Sequence, residues 1–310
     1  MQISVQTGGI EEKVGSVDAC YRMISEAGFD AVDVNLDHLL TSKEEKAGVI
    51  PAVFDPKTSE QDMLQFFRPW KEGAAAWHLQ NAQAHAPYPS RLFDVPSAGY
   101  NDFLMEALRR TIIGTAYIGC HKLVIHPFFY DYDHQMSEKD EWNLNMYCYG
   151  QLAGTAKKMG VTILLENMFV RHKGRVYAAV CNDGREAASY VDALNENAGS
   201  EVFGFCLDTG HALIAGKDIR RFMNELGPRI KAFHVHDNNG HDDQHLAPYM
   251  GVLDWKRFVQ GLQDIGYKDT LSFETFNVCN RYPVELYPSI LKTIELTGRR
   301  FSRLAEEGTL

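Results

Sequence analysis

Short apolar runs alternate along the whole chain with longer stretches whose apolar residues recur three and four apart. The runs predict strands at Ile3–Gln6, Ala31–Asn35, Gln83–Ala86, Lys122–Ile125, Val161–Leu165, Val202–Leu207, Ile230–Phe233 and Thr270–Phe273. The intervening period predicts helices at Val17–Ala27, Tyr100–Ile118, Trp142–Met159, Glu186–Leu194, Ile219–Leu226, Trp255–Ile265 and Val284–Leu296, with a less defined one within Glu60–Leu79. Gly28, Gly119, Gly160 and Gly266 stand where helix stops belong, just ahead of the next strand.

Eight strand–helix units in 310 residues, about 39 residues each, fit one α/β chain folded as a (β/α)8 TIM barrel, typically ~250 residues with room for long loops. A doubly wound sheet would need a glycine-rich phosphate loop after the first strand. Here Gly8-Gly9-Ile10-Glu11 follows, without GxGxxG spacing. The expected organisation is a single barrel domain over residues 1–310. The polar stretches Leu40–Glu60 and Asp131–Glu141 read as long loops on its C-terminal face, over the site.

The strand ends carry the candidate chemistry. Val161–Leu165 stops at Glu166, Val202–Leu207 at Asp208, Ile230–Phe233 at His234, and Thr270–Phe273 at Glu274. One polar residue where a strand surfaces is ordinary. Four in succession, supplying three carboxylates and an imidazole, point to a mixed oxygen–nitrogen site for one divalent metal ion such as Mn, Mg, Co or Zn.

Composition adds bounds. A chain with 45% apolar residues can bury a large core without staples. The six cysteines are scattered, with no CxxC pair, and read as small buried hydrophobes. The start of the chain has neither a basic flank nor a long apolar core, and no stretch approaches the ~20 apolar residues of a membrane span. The expectation is a cytoplasmic protein with no membrane partner. A net charge of −10 disfavours nucleic acid, whose binding draws on Lys and Arg contacts to phosphates. Arg171-His172-Lys173-Gly174-Arg175, in the loop expected after Glu166, is the one basic cluster placed to reach over the site.

An ordered set of motifs then carries a resemblance: Ala84-His85-Ala86-Pro87-Tyr88, Ile125-His126-Pro127, Leu165-Glu166-Asn167, Asp208-Thr209-Gly210-His211, His234-Val235-His236-Asp237, Asp243-Gln244-His245 and Phe273-Glu274. Together they resemble the xylose isomerase-like barrel superfamily, in particular the sugar phosphate isomerase/epimerase group related to endonuclease IV. The resemblance implies that Glu166, Asp208, His234 and Glu274 hold the metal. It further implies that His211, and with it His85, His126 and His236, binds a small-molecule sugar or polyol-derived substrate. Asp243 and His245 are additional metal or substrate residues on the same basis.

The chemistry implied is isomerisation or epimerisation by proton transfer next to a carbonyl, through an enediolate, with Glu166 and Glu274 as the catalytic pair. Two alternatives follow from the same resemblance. His85, His126, Glu166, Asp208, His211, His234, Asp243, His245 and Glu274 match all the ligand positions of an endonuclease IV-like multinuclear-zinc phosphodiesterase, and a non-catalytic sugar-binding relative would keep the fold. His172 and Gly240 stand where ketose 3-epimerases carry a glutamate and an arginine, which counts against that particular activity. Aromatics at Phe128, Phe129, Tyr130 and Tyr132 leave room for a homo-oligomer or for a shield over the substrate.

Overall fold

The computed structural model describes residues 1–41, 43–44, 48–87, 91–92, 99–130 and 136–308. Eight parallel strands form the barrel: β1 (Ile3–Gln6), β2 (Ala31–Asn35), β3 (Gln80–His85), β4 (Lys122–Val124), β5 (Thr162–Glu166), β6 (Phe203–Asp208), β7 (Ile230–His234) and β8 (Leu271–Phe273). Neighbours in sequence pair in the sheet, and β1 pairs with β8 from Ile3↔Leu271 to Val5↔Phe273. The ring closes between β7 and β8 through one bridge, Val235↔Phe273, with Val235 N donating to Ser272 O at 2.8 Å and Glu274 N to Val235 O at 3.2 Å.

An outer helix follows each strand: α1 (Val17–Ala27), α2 (Glu60–Trp77), α3 (Tyr100–Tyr117), α4 (Glu138–Met159), α5 (Gly184–Ala198), α6 (Ile219–Leu226), α7 (Trp255–Asp264) and α8 (Tyr287–Glu307), with shorter helices such as Thr209–Ile214 between strand and outer helix. The first two strands, α1 and α6 keep the bounds the sequence predicts. By contrast α4 starts at Glu138, inside the stretch expected to be loop. Ser137 caps it by accepting from Asp140 N, and Glu138, Asp140 and Glu141 oppose the helix dipole. Part of the expected Leu40–Glu60 loop is core instead, because a 3-10 turn at Ala52–Phe54 buries Val53 and Phe54 completely. Tyr88, residues 42 and 45–47 of that loop, and residues 131–135 with Tyr132 lie outside the described residues.

Strand side chains alternate between the helices outside and the barrel axis inside. Inside, Val124, Leu164, Cys206 and Ala232 form a small apolar cluster of their own. At the same height on the other half of the ring lie Asp33, Gln83 and Ser272, all buried and linked by hydrogen bonds. Two residues further along each strand the next inward layer holds Gln6, Asn35, His85, His126, Glu166, Asp208, His234 and Glu274. That layer opens at the C-terminal mouth, so the barrel's own period of two brings the polar strand ends together. All six cysteines are free and buried, as expected. Among the described residues no helix is long and apolar enough to cross a membrane.

Candidate metal centre

Glu166, Asp208, His234 and Glu274 each offer one ligand atom, and these atoms lie within 4.8 Å of one another. His234 Nδ1 is 2.9 Å from Glu166 Oε1 and 3.6 Å from Glu274 Oε2. Glu274 Oε1 accepts a bond from Gln6 Nε2 at 2.7 Å, and Gln6 Oε1 in turn accepts from Asn35 Nδ2 at 3.3 Å. Asn167 fastens β5 to β6 by accepting from Asp208 N at 2.8 Å and donating to Asp208 O at 2.9 Å. Asp208 also caps the short helix Thr209–Ile214, accepting from His211 N at 2.6 Å.

The remaining histidines gather around this group. His85 and His126 meet at 3.0 Å between their Nε2 atoms, and His126 Nε2 lies 2.9 Å from Glu166 Oε2. On the opposite side Asp243 Oδ2 lies 3.3 Å from His211 Nε2 and 2.9 Å from His245 Nε2. His245 holds a left-handed backbone, φ 44, and stacks on Phe276 at 4.2 Å. His236 is fully buried beside the centre, with Nε2 2.9 Å from Asp208 Oδ2, and it offers a ligand atom both with Asp208 and His211 and with His245 and Glu274.

The cavity above the layer is about 340 Å³ and is lined by His85, His126, Glu166, His211, Asp243, His245 and Glu274. Asp37, Phe169, Arg171 and Phe276 line it too, and sequence reasoning singled out none of these as pocket residues, beyond placing Arg171 in a basic cluster near the site. That cluster forms the turn of an antiparallel hairpin, Phe169–His172 with Arg175–Ala178, rather than an irregular loop. Lys173 at φ 49 and Gly174 at φ 75 make the two successive left-handed residues that a tight hairpin demands, a signal present in the sequence. Phe169 packs edge-on against His211 at 5.1 Å.

Charge is strongly polarised here. Burial resists ionising Glu166, but His234 and His126 outweigh it and hold the carboxyl well below its usual range. Glu274 is likewise pulled down against burial by His234 and His245. Asp243 is pulled down by His211 and His245. Burial alone would discharge the histidines, yet Glu166 and Asp37 keep His85 up at about 9, and Asp208 and Asp243 keep His211 up at about 10. Glu166 Oε2, His234 Nε2, His236 Nδ1 and Asp243 Oδ1 are buried without an aligned hydrogen bond. The buried carboxylates of Glu166, Asp208 and Glu274 with the imidazole of His234, their ligand atoms within 4.8 Å of one another, fit a divalent cation.

The parallel eight-stranded ring, with four residues that could hold a metal ion at its C-terminal mouth, is a TIM barrel. The chain belongs to the xylose isomerase-like TIM barrel family, whose model matches residues 21–295. Its relatives include an L-ribulose 3-epimerase, inosose isomerases and a probable endonuclease. An L-ribulose 3-epimerase of Mesorhizobium japonicum is 24% identical over 56% of this chain and 54% of its own. A probable endonuclease 4 of Mycoplasmopsis agalactiae is 27% identical over 58% of this chain and 63% of its own. An uncharacterised protein of Methanocaldococcus jannaschii is 26% identical over 63% of this chain and 64% of its own, so the chain spans less than two thirds of these relatives. Solved structures share the fold: a D-tagatose 3-epimerase-like protein superposes with TM-score 0.68, 21% identity and coverage of 97% of this chain and 99% of that one. The IOLI protein with a binding zinc atom superposes with TM-score 0.69, 17% identity and coverage of 96% and 97%.

Proposed function

We propose that the chain, as a single barrel domain, is a divalent-metal-dependent isomerase or epimerase of a sugar or polyol-derived substrate. The observation that carries this is the convergence of Glu166, Asp208, His234 and Glu274 within 4.8 Å at the floor of a half-open cavity lined by histidines, carboxylates and two phenylalanines. The epimerase and isomerase relatives, and the zinc in the IOLI neighbour, support the reading.

A divalent cation held by these four residues would supply Lewis acidity toward adjacent carbonyl and hydroxyl oxygens of the substrate. The chain's own residues do the rest. Glu166 and Glu274 end strands three apart around the ring and face each other across the cavity floor, so one takes the proton from the carbon beside the carbonyl and the other returns it. Return to the other face gives an epimer, and return to the neighbouring carbon gives an aldose–ketose isomer. His85, His126 and His211 reach the cavity and donate to substrate oxygens as charge builds in the enediolate. Gln6 holds one Glu274 oxygen in place. Phe169 and Phe276 shield one wall from water.

Metal content per chain, followed by a screen of keto-sugars for proton exchange with solvent deuterium, tests the proposal. About one metal per chain, weakened in Glu274→Gln, with exchange abolished in that variant, is the expected result. No metal after reconstitution would overturn it. One observation favours a second reading, multinuclear phosphodiester hydrolysis. His85, His126 and Glu166 form a second ligand group within 4.8 Å, and His211, Asp243 and His245 adjoin the centre on its other side. About three zinc ions per chain, with cleavage of abasic DNA, would select that reading.

A further inference from the structure

We propose that Asp33, in the middle of β2, is a positioning residue that fixes the ring of His234 for the metal centre. The inference rests on the metal reading above. His234 presents Nδ1 to Glu166 and Glu274, so its lone pair is useful there only if the proton sits on Nε2. Nε2 lies 3.3 Å from Asp33 Oδ2, off the line of a good hydrogen bond, and both His234 Nε2 and Asp33 Oδ1 are buried without a hydrogen-bond partner. The Asp33 carboxylate is thus the acceptor within reach of that ring N–H.

Asp33 has other contacts, and they do not require a carboxylate. Gln83 Nε2 donates to Oδ2 at 2.8 Å and Ser272 Oγ at 3.1 Å. An asparagine carbonyl would accept both equally well. Fully buried, a carboxylate at this position is costly unless something nearby needs a negative charge. The imidazole of His234 is the partner that does. A carboxylate behind a ligating histidine locks its tautomer and orientation and makes the ring a stronger donor. A metal ion held by His234 would thereby be tied to the polar layer beneath it, one step further down the barrel axis.

Cobalt(II) titration of the purified chain, read by chelator competition and by proton NMR of the exchangeable imidazole N–H of the ligating histidine, tests the assignment. In the unaltered chain this N–H is expected to be retained in water and slow to exchange. Asp33→Asn is expected to lower cobalt affinity by ~10–100-fold and to make the N–H exchange fast or vanish. Gln83→Met and Ser272→Ala, which remove the neighbouring donors but keep the carboxylate, are expected to leave both readouts unchanged. Equal loss in those controls, or an unchanged N–H and affinity in Asp33→Asn, would overturn the role of Asp33 while leaving the metal site standing. Should Asp33→Asn fail to fold, Asp33→Ser gives the same readouts, interpreted in the same way. Failure of the unaltered chain to take up cobalt would overturn the metal reading itself, and this inference with it.

Discussion

Gly210 sets two physical effects against each other, and their sum can be measured. It lies in the first turn of the short helix after β6, where alanine would ordinarily help by up to ~1 kcal/mol. A Cβ at this position, however, would lie 2.0 Å from His236 Cε1, 2.5 Å from Nδ1 and 2.7 Å from Nε2. The His236 ring is fully buried and cannot swing away without giving up its 2.9 Å contact to Asp208. Forced displacement in a packed core costs about 1–3 kcal/mol, and losing a hydrogen bond to a charged group costs about 1.5–3 kcal/mol more. Gly210→Ala should therefore destabilise the chain by about 1.5–5 kcal/mol and weaken divalent-metal binding through Asp208. Gly150 and Gly154, on α4 with nothing within 4 Å of where an alanine methyl would lie, are the controls, each gaining about 0.5–1 kcal/mol as alanine. Urea midpoints at matched slopes read all three. If Gly210→Ala proved as stable as the controls, the placement of His236 against β6 would be wrong.

Other predictions follow from the same geometry. Burial lifts the Glu11 carboxyl to about 7 although Trp70 Nε1 donates to it at 3.2 Å. Its protonated form is favoured by folding, so that stability is full below pH 4.5 and is lost as pH rises through about 7. Glu11→Gln should match the parent at pH 4 and exceed it at pH 8 by up to ~3 kcal/mol in urea titrations, and a gap that does not vary with pH would refute this. Asp237 accepts from Asn238 N, Gly251 N, Leu253 N and Trp255 Nε1 at 2.9–3.1 Å. Asp237→Asn turns one acceptor into a donor facing donors and should lower stability by at least ~2 kcal/mol, measured by the same denaturation. Divalent metal at a hundred times its Kd should raise parental stability by ~2.7 kcal/mol and leave Glu166→Gln unmoved, as read by thermal unfolding.

The strands and the upper inward layer are legible in the sequence because one cause produces both signals. A barrel strand is an apolar run until it surfaces, and the residue at which it surfaces faces the mouth. Glu166, Asp208, His234 and Glu274 announce themselves in this way. Asp33 does not, because it interrupts Ala31–Asn35 in mid-strand and its meaning depends on His234 across the barrel. His236 follows His234 by two, yet the chain has left β7 by then, so strand alternation does not reveal that its ring lies against Asp208. Phe169 and Phe276 belong to elements beyond the barrel strands, where periodicity carries no information about which side chains return over the mouth. The start of α4 is hidden because dense charge resembles loop, when acids after Ser137 are a helix beginning.

The closure of the ring has a further consequence. β2 and β3 are zipped over five residue pairs, from Ala31↔Gln80 to Asn35↔His85, whereas β7 and β8 meet at the single bridge Val235↔Phe273. His234 and Glu274 stand on the two lips of that thin seam. An ion gripping both would act as a clasp, and amide hydrogens of Val235 and Glu274 should exchange far more slowly with it than without, while those in β2 barely respond.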